Sequence, residues 1–399
     1  MSDFPRPEHD EDWEIVRRHW NLRPGVTYLN HGSFGPPPRP VIDCREHWRR
    51  ELDAQPMDVL VQQFEPMWLR SRDALAEFVG ASADRVGLVE NATQGMNVVA
   101  HSFPLAAGDE VLLTNHEYGA VERIWRRRCE QAGAELRRVE LESFADEQPI
   151  DDPGKLVDRV ATAITDRTRL LVVSHITSAT ALILPVRELI EAAHARNVAV
   201  CVDGPHAVAQ LPLELDRLGC DFYCASCHKW LSAAFGTGFV YAAPKWHGQM
   251  QPPSLSWGRL LPSLPERWTE ELMWTGTRDI SAWATLPVAI GLLQDIGLDR
   301  FRARLHHLAR LALDELRSGL GLDLPTLAAP FDSWYGAMAH MELPPGESLP
   351  LQVALREQFG IEVPIVSFAD RRWLRVSCHL YNTRADIQRL VDGLRQLLK

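Results

Sequence analysis

Between roughly residues 65 and 245 the sequence alternates short apolar, β-branched runs with longer amphipathic ones. Residues 169–174 (RLLVVS) and 198–202 (VAVCV) are nearly all apolar. A strand with one wet face alternates polar and apolar residues, whereas a strand covered on both faces does not. Covered strands separated by helices require parallel βαβ units, so this pattern predicts an α/β sheet with helices on both sides. Strands are expected at 85–89, 110–114, 169–174, 198–202, 221–225 and 238–242, and helices at 94–103, 119–132 and 186–196. After about residue 285 the pattern changes to a helical stretch over 283–316 broken near Gly297, strands at 337–343, 361–366 and 373–376, and a helix at 351–358. Thr383 and Asp386 mark the capped start of a last helix. The chain therefore divides into a large α/β domain at 25–285 and a small α+β domain formed by 1–24 and 286–399.

Composition narrows the class of partner. Lys and Arg total 42 against 53 Asp and Glu, a net charge of -11. That balance argues against a nucleic-acid backbone or an anionic membrane surface as ligand. No apolar run approaches the roughly 18–20 residues that span a bilayer. The opening MSDFPRPEHDEDWEIV is acidic and does not read as a signal peptide. Seven cysteines, an odd number, do not read as a disulfide framework. A cytoplasmic protein with reduced thiols and a small-molecule ligand is expected.

In an open α/β sheet, ligands sit beyond the carboxyl ends of the strands. Five successive ends carry polar groups: Asn91-Ala92-Thr93, Asn115-His116-Glu117, His175 to Ser178, Asp203-Gly-Pro-His206 and Ser226-Cys-His228-Lys229. Singly, each reads as a cap or turn; together they read as a site. Asn91-Ala92-Thr93 leads straight into a helix, whose free N–H groups suit a phosphate. Asp203 ends an apolar strand, where a carboxylate is costly unless a cation or donor meets it. Lys229, desolvated beside a helix terminus, can serve as nucleophile or base. A phosphate anchor, a buried Asp and a reactive Lys together describe a pocket for pyridoxal phosphate, the Asp holding the pyridinium nitrogen protonated. A further loop, Asn30-His31-Gly-Ser33-Phe-Gly-Pro-Pro-Pro, is too rich in Gly and Pro for a regular element, and His31 there is a candidate for titration near neutral pH.

These stretches resemble the class V aminotransferase family of fold-type-I pyridoxal phosphate enzymes. Ser226-Cys-His228-Lys229 is similar to the family's S-x-H-K signature, and Asp203-Gly-Pro-His206-Ala to its D-G-A-[HQ]-A. Within the family the likeness is densest to isopenicillin N epimerases, through Asn30 to Pro36, Gln55-Pro-Met-Asp58, His116-Glu-Tyr-Gly-Ala120 and Cys227-His-Lys-Trp-Leu231. It runs from about residue 28 to about 385. The resemblance implies a mostly parallel seven-stranded sheet, Lys229 bonded to the cofactor, and Asp203 at its ring nitrogen. It implies His116 stacked on the ring, His206 near the ring hydroxyl or Asp203, and Asn91, Ala92, Thr93, Ser226 and His228 around the phosphate. Ser178 stands where many relatives place an Asn on the ring hydroxyl. Gly276 and Thr277 would reach the cofactor of a second subunit, so a homodimer is implied. Arg375 would hold a substrate carboxylate, with His31 and Ser33 lining the substrate side.

Other groups weigh less. Cys220, Cys224, Cys227 and His228 lie close in sequence but lack the paired spacing of a closed zinc site, so no metal is expected. Gly236-Thr-Gly238 lacks the glycines and following helix of a dinucleotide fingerprint. Arg126 to Arg128 reads as a solvated helix face. In desulfurase relatives a nucleophilic Cys lies between the segment similar to 361–363 and the strand of Arg375; residues 364–372 here contain none, so the resemblance implies no cysteine desulfuration. The sequence thus points to an enzyme acting at the α-carbon of an amino acid or a derivative of one, most similar to an epimerase. A C–S lyase, an aminotransferase and a catalytically idle relative are the alternatives.

Overall fold

The computed structural model describes residues 5–141, 150–260, 263–321 and 326–398. Its strands, in chain order, are β1 (Thr27–Tyr28), β2 (Val86–Val89), β3 (Glu110–Thr114), β4 (Glu135–Val139), β5 (Thr168–Ser174), β6 (Ala199–Asp203), β7 (Phe222–Ser226), β8 (Gly238–Ala242), β9 (Met338–Leu343), β10 (Ile361–Glu362), β11 (Ile365–Phe368) and β12 (Arg371–Ser377). Seven of them form one sheet in the order β2-β8-β7-β6-β5-β3-β4. Only β8 runs against its neighbours there. The α/β architecture with a mostly parallel seven-stranded sheet is therefore the one the alternating pattern and the resemblance led to. Strands β6, β7 and β8 are buried at every residue, and apolar clusters cover both faces of the sheet.

The second sheet, β11-β12-β9, is antiparallel. Its alternation separates two environments. Leu374, Val376, Ala339 and Met341 pack on the helices Leu298–Leu320 and Arg384–Leu397. Trp373, Met338 and Val366 pack on the core of the large sheet. Arg375 shares the face of Trp373, because residues two apart on a strand point the same way. β1 pairs in parallel with β10, so the segment entering the Asn30 loop is carried by the C-terminal half.

Several elements differ from the sequence reading. The strand expected at 361–366 is two strands, because Pro364 supplies no N–H to a ladder. β4, with sequence ELRRV, is an edge strand with mostly polar side chains and no apolar run to mark it. Helices Arg39–Ala54 and Phe64–Phe78 were not expected as such. Arg128 is not on a solvated face: it donates to the carbonyls of Ala100 and Phe103. Thr383 and Asp386 do form a reciprocal cap. Among the described residues, no helix is long and apolar enough to cross a membrane. All seven cysteines are free thiols.

Candidate active site

Asn91 directly follows Glu90 at the end of β2 and caps the helix Ala92–Ser102. Its Oδ1 accepts from Gln94 N at 2.9 Å. The Ala92 N–H donates to Ser226 Oγ at 2.9 Å, joining this helix start to the end of β7. Gly238 makes the approach possible, since a Cβ there would lie 2.7 Å from Asn91 Cα. Thr93 is exposed on the first turn. His228 follows nearby, and its Nδ1 is buried without a partner. Burial, with Lys229 beside it, lowers the His228 imidazole to about 4, so it is neutral. A helix start, a serine hydroxyl and an unpartnered imidazole form a donor set for an oxyanion.

Asp203 ends β6 and is 6% exposed. Among the described residues no donor meets its carboxylate. Burial raises its proton affinity, and the positive charge of Lys229 opposes that. Lys229 moves the other way: burial and Arg375 lower its value, with Asp203 opposing. His206, expected near Asp203 or a ring hydroxyl, has its Nε2 3.1 Å from Lys229 Nζ and its Nδ1 3.2 Å from Trp230 Nε1. His116 is buried, with Nδ1 2.7 Å from Thr180 Oγ1 and its ring 4.6 Å from that of Phe368.

Arg375 is 4% exposed. It donates to the Ser178 carbonyl at 2.5 Å and to Ser33 Oγ at 2.8 Å, with longer contacts of 3.4 Å to Ser178 Oγ and Asn30 Oδ1. Its Nε is buried without a partner. Among the described residues no carboxylate pairs with it. Burial lowers its value to about 10, which still leaves it charged near neutral pH. Ser178 and Ser33 thus both engage Arg375.

His31 requires a correction. It is fully buried, with Nδ1 2.9 Å from Tyr381 Oη and Nε2 3.0 Å from the Lys229 carbonyl. It stacks on His379 at 3.8 Å. Burial lowers it to about 3, so it neither titrates near neutral pH nor offers a ring nitrogen to substrate. The loop is pressed onto the lysine segment at Gly35, where a Cβ would lie 2.6 Å from His31 Nε2 and 2.7 Å from the Lys229 carbonyl oxygen.

The sequence reading named Glu117 at a strand end but gave it no role. Its carboxylate accepts from Thr114 Oγ1 at 2.7 Å, Ser174 Oγ at 2.7 Å and Ser174 N at 3.1 Å. Burial, with Asp203 adding to it, raises Glu117 to about 7. Its place at a strand end was the available signal. Tyr118 is 51% exposed and lies within electrostatic reach of Arg375. Gly276 is partly buried and Thr277 exposed; they precede Arg278, which pairs with Glu90, the neighbour of Asn91, at 2.7 Å. Cys378 is fully buried, and burial pushes its thiol up. Cys220, Cys224 and Cys227 are core residues.

A buried amine, a carboxylate lacking a donor and an oxyanion-binding helix start fit pyridoxal phosphate by the chemistry of the donor set. The chain matches the aminotransferase class-V family over residues 28–390. It is 38% identical to the isopenicillin N epimerase of Amycolatopsis lactamdurans, covering 97% of this chain and 99% of that protein. With the isopenicillin N epimerase of Streptomyces clavuligerus the identity is 36%, over 97% and 98%. A cysteine desulfurase of Yersinia pestis is 29% identical over 99% of both. Among solved structures, a cystine C–S lyase in complex with cysteine persulfide superposes with a TM-score of 0.79 at 23% identity, over 93% of this chain and 97% of that one. The cysteine desulfurase of Escherichia coli does so with 0.79 at 20% identity, over 97% and 98%. These structural likenesses concern the fold. The chain belongs to the class-V aminotransferase family and is a pyridoxal phosphate-dependent enzyme.

Proposed function

We propose that this enzyme takes the proton from Cα of a substrate bearing an α-amino acid group and returns one to the opposite side, so that its net reaction is epimerisation. Arg375 carries the amino-acid part of the reading. It is a buried guanidinium beside Lys229, held by neutral groups alone. A substrate α-carboxylate supplies the missing anion in the bidentate geometry a guanidinium favours. Similarity to the two epimerases supports the choice of reaction.

The resemblance to the family supports the following assignment of residues. Asn91, Ala92, Thr93, Ser226 and His228 hold the phosphate. Asp203 takes the ring nitrogen, His116 the ring face and His206 the ring-hydroxyl side, while Lys229 is the covalent anchor. Ser178 and Ser33 hold Arg375. Gly276 and Thr277 serve the second site of a homodimer. When bound, pyridoxal phosphate supplies an electron sink that acidifies the Cα–H bond. The Lys229 amine, whose value burial and Arg375 lower to about 8, is the base on one side. With His31 excluded, the Tyr118 hydroxyl is the acid on the other side.

The test is incubation of the purified enzyme in deuterium oxide with L- and D-amino acids, including thioether-bearing ones. Deuterium at Cα with inversion and no keto acid is the expected result. A keto acid released with a thiol would make the enzyme a C–S lyase, and amino transfer to a second keto acid would make it an aminotransferase. No exchange with any amine would refute the proposal. Borohydride reduction and peptide mapping should place a pyridoxyl group on Lys229, and light scattering should give the mass of two chains.

A further inference from the structure

We propose that Trp230 is a positioning residue: its indole fixes the tautomer of His206, so that His206 Nε2–H donates to Lys229 Nζ and favours the free amine over the ammonium. The inference rests on the function proposed above, since it concerns the amine that reacts there.

Donors and acceptors fix the tautomer. An indole N–H can only donate. Trp230 Nε1 lies 3.2 Å from His206 Nδ1, so Nδ1 offers its lone pair. A neutral imidazole carries one N–H, which must then sit on Nε2. His206 is neutral because it is 3% exposed, with the charge of Arg375 acting in the same direction. Its Nε2 is 3.1 Å from Lys229 Nζ. An ammonium at that distance would set donor against donor, whereas an amine accepts and completes the contact.

The groups around Lys229 act as follows. Burial and Arg375 disfavour the ammonium, Asp203 favours it, and His228 and His206 are neutral imidazoles. The His206 contact therefore acts with Arg375 against Asp203. The indole cannot easily turn away. Trp230 is fully buried, with its ring 5.4 Å from that of His31, which itself contacts the Lys229 carbonyl and stacks on His379. The consequence is chemical: an amine has the lone pair that attack on a carbonyl carbon requires, and an ammonium has none.

The first measurement is the nitrogen-15 spectrum of histidine-labelled full-length protein freed of cofactor. His206 should show a protonated Nε2 and a bare Nδ1; a proton on Nδ1 overturns the proposal with no variant needed. The second is competitive acylation of Lys229 near neutral pH, read by peptide mass. Trp230→Phe should slow labelling of Lys229 by about fivefold, the value of one neutral hydrogen bond. In a His206→Gln background the same change should have no effect, because an amide N–H needs no tautomer. Equal slowing in both backgrounds would show that Trp230 acts by packing and overturn the proposal. If Trp230→Phe fails to fold, the native spectrum decides. Failure to bind pyridoxal phosphate would refute the proposed function and leave the tautomer as measured. An Nδ1 proton in a chain that binds it on Lys229 would do the reverse.

Discussion

Replacing Arg375 with Met should move three observables in different directions. The guanidinium is 4% exposed, and its hydrogen bonds go to Ser178, Ser33 and Asn30, all neutral. Removing one partner of a buried, hydrogen-bonded charge pair costs about 2–5 kcal/mol. At about 1.4 kcal/mol per decade, kcat/KM for an α-amino acid should fall by about thirtyfold to a few thousandfold. An amine of the same side chain that lacks the carboxylate never makes the pair, and its rate should hardly change. Stability should go the other way. The native site buries a cation without a counter-ion, so a methionine of similar length should leave the Tm of the cofactor-free chain unchanged or raise it. Lys229 should also become easier to protonate, because Arg375 disfavours its ammonium. Steady-state kinetics on the paired substrates, thermal denaturation and acylation of Lys229 read the three effects. Equal losses on both substrates, or a large fall in Tm, would show that Arg375 is a structural residue and refute the reasoning.

Glu117 has a folded value raised from 4.5 to about 7, so its contribution is present below about 4.5 and lost as pH rises through about 7. Glu117→Gln should remove that slope from the denaturant midpoint of the cofactor-free chain and gain stability above the window; an unchanged slope would refute it. Gly35→Ala would press a Cβ to 2.7 Å from the carbonyl oxygens of His228 and Lys229, so the loop must shift. A loss of about 1–3 kcal/mol by thermal or chemical denaturation is expected, and native stability would contradict the packing. Cys378→Ala should cost about 1 kcal/mol and leave activity on any substrate intact. A persulfide formed on the enzyme from L-cysteine and absent in that variant would show Cys378 to be reactive.

The sheet was legible because its inner strands are covered on both faces and therefore read as unbroken apolar runs, as in LLVV at 170–173 and VAVCV at 198–202. β4 was not, because an edge strand with polar faces has no such run. Asp203 stood out for the same reason the sheet did: a carboxylate ending an apolar strand needs a reason to be there. His31 was misread, because what fixes it comes from Lys229 and Tyr381, at sequence separations of 198 and 350. No local pattern around residue 31 records those contacts. Glu117 was visible as a polar residue at a strand end, but its burial depends on Ser174, 57 residues away on β5.

The charge pattern of the site follows from this long-range assembly. Burial acts on four ionisable groups of two signs and pushes each toward its neutral form: Asp203 and Glu117 upward, Lys229 and Arg375 downward. His206, His228 and His31 are held neutral by the same cause. Asp203 and Lys229 partly compensate each other, and Glu117 has three hydrogen bonds from Thr114 and Ser174. Arg375 stays charged and, among the described residues, has no anion. A group in that position costs folding free energy unless a ligand arrives, so a sequence selected for stability alone would replace it. Its place beside a lysine whose ammonium it disfavours ties the small sheet to the chemistry. In the proposed reaction the guanidinium would orient a carboxylate, and its charge, after burial, lowers the proton affinity of the neighbouring amine.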